Sequence, residues 1–302
     1  MDFTFSEYKI FLTNLKQSNW RTSTLENYNI DTKKIVLFRH DVDRNPQNTL
    51  EMAKLEADLG IKASYYFRFV LESYTEEIIK EIVGLGHEIG YHYENLSQVG
   101  AKGNRLRPEN KGTTPGQENE TGFVLKKRRL RPVKKENGLR KAKSCKESEK
   151  EIFELALEDF EKNLDKLRKF YPVKTMCMHG SPMSKWDNRE LWEKYDYRKY
   201  GIICEPYFDL DFNKVFYITD ASRSWNNEKV SIRDKVESNF NIPINSTQDI
   251  INLIQSEDTP NQIMINIHPH NWANSYGEWL KIYAWQGMKN IVKRFLVRRG
   301  LG

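Results

Sequence analysis

Residues 34 to 92 alternate between apolar strands and amphipathic helices, and that alternation leaves few folds open to the chain. A strand over 34–40, with Ile35-Val36-Leu37-Phe38 at its centre, is followed by a helix over about 46–59. Pro46 stands where a first-turn proline is tolerated, and Gly60 stops the helix. Ala63–Phe69 reads as a second strand, rich in aromatics. Thr75 is placed to cap a helix ending at Gly84 or Gly86, and His87–His92 makes a short third strand. Successive strands separated by single helices predict a parallel sheet with helical crossovers.

The rest of the chain extends the pattern. An amphipathic helix over about 3–20 carries Tyr8, Phe11, Leu12 and Leu15 on one face. A long helix from Ser148 to about Phe170 ends at Pro172, and Val173–Met178 is the next strand. A short helix at about 189–194 follows, then strands at Gly201–Cys204 and Lys214–Thr219. Thr247–Ser256 is a helix, Ile263–Ile267 the last strand and Gly277–Val297 a closing helix. Trp279, Leu280, Tyr283, Trp285 and Phe295 of that helix offer enough apolar surface to seal the structure or to form a dimer, and sealing is the expected use. Roughly seven strands with helices between fit one barrel domain over residues 1–302 better than two domains.

One segment breaks the pattern. From about 101 to 147 no period is sustained, and a flexible insertion is expected there. Residues 101–150 hold 16 Lys and Arg against 6 Asp and Glu, a balance of +10; the remainder, 32 basic against 36 acidic, stands at −4. The basicity therefore belongs to one segment, with Lys126-Lys127-Arg128-Arg129-Leu130-Arg131 its densest run. Two readings stay open for it, a polyanion- or membrane-surface patch and a solvated insertion. No aromatics interleave with these charges, so nucleic acid is not an expected partner. No run approaches the roughly 18 apolar residues of a membrane span. The first residues lack a signal-peptide pattern, and three cysteines include no CxxC pair, so a reducing, cytoplasmic location is expected.

The first strand ends in Arg39-His40-Asp41-Val42-Asp43. In extended geometry Asp41 and Asp43 point to the same side, where two like charges repel unless a cation or a shared proton compensates. That suits a metal ligand beside a general base; a turn with solvated acids is the alternative. Other strands also end in chemistry: His92-Tyr93-Glu94, His179-Gly180-Ser181-Pro182 and His268-Pro269-His270-Asn271-Trp272. Five of the six histidines lie at such ends, and His87 opens the third strand. In parallel α/β folds the carboxyl ends of the strands form one rim where sites assemble.

Arg39–Asp43, Gly86-His87-Glu88-Ile89-Gly90-Tyr91-His92 and Ile265-Asn266-Ile267-His268-Pro269 together resemble the polysaccharide deacetylase superfamily, the carbohydrate esterases with a NodB-type domain. The resemblance covers about residues 34 to 272. It implies a deformed (β/α)7 barrel with a divalent metal, usually zinc, at the rim. It also implies Asp41 as catalytic base, Asp43 and His92 as metal ligands and His268 as general acid. The implied reaction is removal of an N-acetyl or related acyl group from a sugar.

The family's second histidine ligand would fall four residues after His92, where this chain has Leu96. His179 is the preferred replacement and Glu94 the next. The family's arginine-proline motif is absent, with Met178-His179-Gly180-Ser181-Pro182 in its place. Arg39, Arg223 and Trp272 are the candidate substrate contacts, with Trp225 a further stacking surface. The expected substrate is a carbohydrate, with a nucleotide- or lipid-linked precursor as one form of it. Two other readings compete: an inactive carbohydrate-binding or scaffold protein of the same fold, and a hydrolase of a non-sugar linear amide.

Overall fold

The structure is a computed structural model that describes residues 1–106, 137–182, 184–226 and 236–298. Seven strands form one parallel sheet: β1 (Arg21–Ser23), β2 (Ile35–Val42), β3 (Ser64–Phe67), β4 (Glu88–Tyr93), β5 (Met176–Met178), β6 (Val215–Thr219) and β7 (Gln262–Ile267). Their order is β5-β4-β3-β2-β7-β6, with β1 beside β2. β7 pairs with β2 from Ile35 to His40 along one edge. The opposite edge is shared, β1 taking Ile35–Leu37 and β3 taking Arg39–Val42. The sheet curls into a half-barrel, and among the described residues its hydrogen-bonded path ends at β5 and β6.

Nine helices surround it among the described residues: α1 (Phe5–Gln17), α2 (Pro46–Asp58), α3 (Glu76–Gly84), α4 (Asn95–Leu106), α5 (Asn137–Leu167), α6 (Glu190–Lys194), α7 (Pro206–Asp209), α8 (Thr247–Gln255) and α9 (Tyr276–Arg298). The expected strand at Gly201–Cys204 is reduced to a single bridge between Thr175 and Cys204. β1 is three residues long, too short to leave a periodic signal. The insertion expected over 101–147 is narrower, because α4 runs to Leu106 and α5 begins at Asn137. Its centre, with the basic run 126–131, lies outside the described residues.

Alternation along the strands decides what faces where. Ile35, Leu37, Tyr66, Cys177, Tyr217 and Met264 point into the curl and pack together. Val36, Phe38, Val42, Tyr65, Phe67, Ile89, Tyr91, Ile263 and Ile265 point outward, against Tyr8, Phe11, Ile79, Phe160 and Leu164 of the helices. β2 is buried along its whole length on both faces. Burying an apolar side chain fully contributes roughly 1.5–3 kcal/mol, so the two layers dominate the stability of the sheet.

Polar residues on the outer face need partners, and one carboxylate supplies several. His40, although near a strand end, points away from the rim: its Nε2 lies 2.7 Å from Glu56 Oε1 and its ring stacks on Tyr65. Glu56 also accepts hydrogen bonds from the Tyr8 and Tyr65 hydroxyls, joining α1, α2, β2 and β3. His87 is structural as well; its Nδ1 accepts from Ala63 N and its Nε2 donates to Ala53 O.

α9 departs from expectation. Leu280, Tyr283 and Trp285 are about half exposed, while Gln286 is buried. No helix of the described residues is long and apolar enough to cross a membrane.

The Gly90 of the third strand has a steric reason. A Cβ there would lie 2.2 Å from the ring of Tyr66, which fills the curl and meets the Thr175 hydroxyl at 2.9 Å. Gly90→Ala is expected to lower the unfolding free energy by about 1–3 kcal/mol, the usual cost of overpacking. Denaturant melts of Gly90→Ala, alone and with Tyr66→Leu, check this: the second substitution should recover part of the loss.

Candidate functional site

The same alternation that fills the curl with apolar residues places polar ones above them at the carboxyl end. Arg39 and Asp41 are the inward residues of β2 beyond Leu37, and Asp43 follows the end of the strand. His92 is the inward residue near the end of β4, His179 follows β5 and His268 follows β7. All six line one cavity of about 480 Å³, together with Arg44, Arg68, Glu72, Tyr207, His270 and Lys289.

Asp41 is held from three directions. Arg39 donates two hydrogen bonds to it, from Nε at 2.9 Å and Nη2 at 2.7 Å, and Asn266 Nδ2 donates a third at 3.1 Å. Burial would raise its pKa, but the guanidinium, helped by His92 and His268, brings it down to about 2. Asp41 is therefore an anion across the ordinary pH range. Arg39, at 1% exposure, is committed to this pair and orients Asp41 while it also lines the cavity.

Asp43 is placed differently. Its Oδ1 is buried and has no hydrogen-bond partner. It lies 3.5 Å from His92 Nε2 and 3.5 Å from His179 Nε2, too long for a strong hydrogen bond, and 3.9 Å from Arg68 Nη1. Both imidazoles have their other nitrogen occupied. His92 Nδ1 meets Cys177 O at 3.0 Å, so it carries the proton and leaves the Nε2 lone pair free. His179 Nδ1 meets Glu94 Oε2 at 2.8 Å, a carboxylate–histidine arrangement common behind metal ligands. Glu94 is itself gripped by Arg68, from Nε at 3.0 Å and Nη2 at 2.8 Å. Glu94 thus serves the ligand instead of being one. Leu96 is fully buried in the outer core.

Among the described residues, Asp41, His92 and Cys177 bring one ligand atom from each within 4.8 Å of one another, a buried group that could hold a metal ion. The Asp41 oxygens of that group already accept from Arg39 and Asn266, whereas Asp43 Oδ1 has no hydrogen-bond partner. Donors around a tetrahedral zinc stand about 3.4 Å apart, and the separations of Asp43 Oδ1 from His92 Nε2 and from His179 Nε2 are each 3.5 Å.

On the other side of Asp41, His268 Nε2 lies 3.9 Å from Oδ2. Its Nδ1 donates to Asp220 Oδ1 at 2.7 Å, and Asp220 also accepts from the His268 backbone N–H at 2.9 Å. Burial opposes a charge on this ring, but Asp220, Asp41 and Asp43 outweigh it and raise the pKa to about 10. Asp220 follows β6; as another acid at a strand end, it carries the signal by which Asp41 and Asp43 are found.

Two expected substrate contacts are corrected. Trp272 is fully buried; its indole donates to Asp220 Oδ2 at 2.9 Å, so it steadies the partner of His268 and offers no stacking face. Arg223 does not line the cavity. Its guanidinium lies against Phe3, Trp279 and Tyr283, and Nε donates to Asn271 O. Trp225 is likewise buried, stacked on Phe3. No protein-family model, curated protein or solved structure matches the chain.

The His268–Asp220 pair predicts a pH dependence of stability. A histidine whose pKa rises from 6.5 to about 10 on folding contributes stability that is complete below pH 6.5 and is lost as pH rises through about 10. Unfolding free energies of the chelator-treated protein should fall across that window. His268→Gln should flatten the fall, measured by denaturant melts at stepped pH.

Proposed function

We propose that the protein is a metal-dependent hydrolase that removes an N-acetyl or related acyl group from an amino sugar. The observation that carries this is the buried, unpartnered Asp43 Oδ1 between two imidazole nitrogens, with an ionised acid on one side of it and a charged histidine beyond. Asp43, His92 and His179 would hold a divalent cation, zinc by the chemistry of the donor set. Such an ion, when bound, supplies Lewis acidity toward the acyl oxygen and toward water.

The residues of the chain divide the proton work. Asp41, kept ionised and oriented by Arg39 and Asn266, takes a proton from the attacking water. His268, charged and oriented by Asp220, gives a proton to the leaving nitrogen as the carbon–nitrogen bond breaks. The atoms balance: water is consumed, and a carboxylic acid and a free amino sugar are released. Asp41 is buried at the floor of the cavity, and His268 beside it is 14% exposed.

Metal analysis tests the ligand assignment directly. Purified protein should carry stoichiometric zinc, lost in Asp43→Ala and in His179→Ala and retained in Cys177→Ala. Glu94→Gln should weaken zinc about 10–100-fold, the usual effect of removing a carboxylate behind a ligand. Zinc retained in Asp43→Ala and His179→Ala but lost in Cys177→Ala would reassign the centre to the Asp41–His92–Cys177 group. For the reaction, release of acetate from a panel of N-acetylhexosamines should fall about 10²–10⁴-fold in kcat for His268→Ala. A zinc-loaded protein with no activity on any acylamino sugar would remove the hydrolase assignment.

A further inference from the structure

The two sides of α9 meet different surroundings. One side is tied to the rest of the fold: Trp279 Nε1 donates to Asp2 O at 2.7 Å, and Asn290 Nδ2 donates to Ser222 O at 3.1 Å. Gln286 is buried there and, with Lys289, lines the cavity. The other side is open and apolar. Tyr276, Leu280, Tyr283, Trp285, Met288 and Ile291 are each between 49% and 69% exposed. At about 100° per residue, Tyr276, Leu280, Ala284, Gly287, Met288 and Ile291 fall within about 120° of the helix circumference. Tyr283 and Trp285 flank that arc, and no charged residue between Tyr276 and Ile291 lies in it.

Size separates this face from the single apolar side chains normal on any surface. With about 150–200 Å² for a whole large side chain, the six expose roughly 500–700 Å². The largest apolar patch on a typical monomer is about 300–600 Å². Two such faces laid together would bury roughly 1,000–1,400 Å², which clears the roughly 1,000 Å² of a specific protein–protein interface.

Gly287 indicates independently what kind of surface meets the helix. A Cβ there would meet nothing within 4 Å, so no contact inside the chain requires the glycine. In mid-helix it is disfavoured relative to alanine. A lipid surface would reward a large side chain at this position. A second helix rewards a small one, because the two backbones can then approach closely. Ala284, at the centre of the apolar face both along the helix and around it, is small as well.

We propose that this face of α9 is a homodimer interface, in which two copies of the chain pack α9 against α9 about a two-fold axis close to Ala284. A two-fold interface needs a self-complementary patch, and an uncharged apolar face with small residues near its centre meets that requirement. In the antiparallel arrangement that such an axis imposes, Leu280 of one copy stands against the Met288 of the other. The same helix carries Gln286 and Lys289 into the cavity lining, so each copy braces a wall of the other's cavity. The interface stands apart from the reaction proposed above.

Sedimentation equilibrium of the full-length protein tests the interface. A monomer–dimer equilibrium is expected. Leu280→Glu and Ile291→Glu should each raise the dimer dissociation constant about 30-fold or more, the loss at an interface hot spot. Leu71→Glu, at a leucine 98% exposed on the loop after β3, should leave it at the parental value. Leu280 and Ile291 are exposed in the single chain, so both glutamate variants should keep the parental circular dichroism spectrum. Ala284→Cys gives a second readout that does not depend on weakening the dimer. Near the axis the two new cysteines have Cα atoms within about 7 Å, and mild oxidation should link them beyond any level seen in the parent or in Leu71→Cys. A monomeric parent, parental dissociation constants in both glutamate variants, or no excess cross-linking in Ala284→Cys overturns the proposal. Cosedimentation of a monomeric parent with phosphatidylglycerol-containing vesicles, lost in Leu280→Glu, would assign the face to a membrane surface instead.

Discussion

The centre depends on the ion pair between Arg39 and Asp41. Both belong to β2, two residues apart on the inward face, and both are almost completely buried. A buried ion pair of this kind contributes little net stability, because desolvating the two charges offsets most of their attraction. An apolar pair of the same volume would satisfy the fold at least as well. What the pair supplies instead is a carboxylate that stays ionised inside a low-dielectric pocket and is fixed in orientation. Asn266, on the neighbouring β7, adds a third donor that fixes the orientation of the carboxylate. Asp43, one step beyond the strand, is left with a buried Oδ1 that has no hydrogen-bond partner.

The division between layers follows from the same strand. Its even-numbered residues turn outward, where His40 finds Glu56; its odd-numbered residues turn inward, where Arg39 finds Asp41. A strand buried on both faces carries no exposed position on which a charge could be placed at low cost. Each polar side chain of β2 is therefore met by a partner from another element or from the strand itself, although His40 Nδ1 is left without one. Two polar networks result, on opposite faces of one strand. The outer one ties helices to the sheet, and the inner one fixes Asp41 at the floor of the cavity.

Much of the architecture was legible in the sequence because it rests on period and punctuation. β2, α2, β3, α3 and β4 fall within a few residues of the boundaries read from apolar alternation, Pro46, Gly60 and Gly86. The strand-end rule also brought Asp41, Asp43, His92, His179 and His268 into one set, and the structure gathers all five around one cavity. α4 was illegible, since Asn95-Leu96-Ser97-Gln98-Val99-Gly100 carries a glycine that weakens helix propensity. Gly100 is there because the Trp186 indole packs against it, a contact a sequence pattern does not announce. Arg223 and Trp272 failed as substrate contacts for a related reason. Position near a strand end places a residue at the rim, but it does not say whether the side chain enters the cavity or the core behind it.

His179 reaches the cavity by sheet register. His92 on β4 pairs with Cys177 on β5, and both point into the curl. The next inward position along β5 is two residues on, and that residue is His179. Position 96 turns the other way, and Leu96 packs α4 onto the outer core. The residue at the end of β4, Glu94, stands beside His179, where Arg68 holds it in place. His179, Glu94 and Arg68 thus form one chain of contacts at the rim, and a change in any of them alters how the His179 ring is held: without Glu94 its Nδ1 loses the carboxylate, and without Arg68 that carboxylate loses its countercharge.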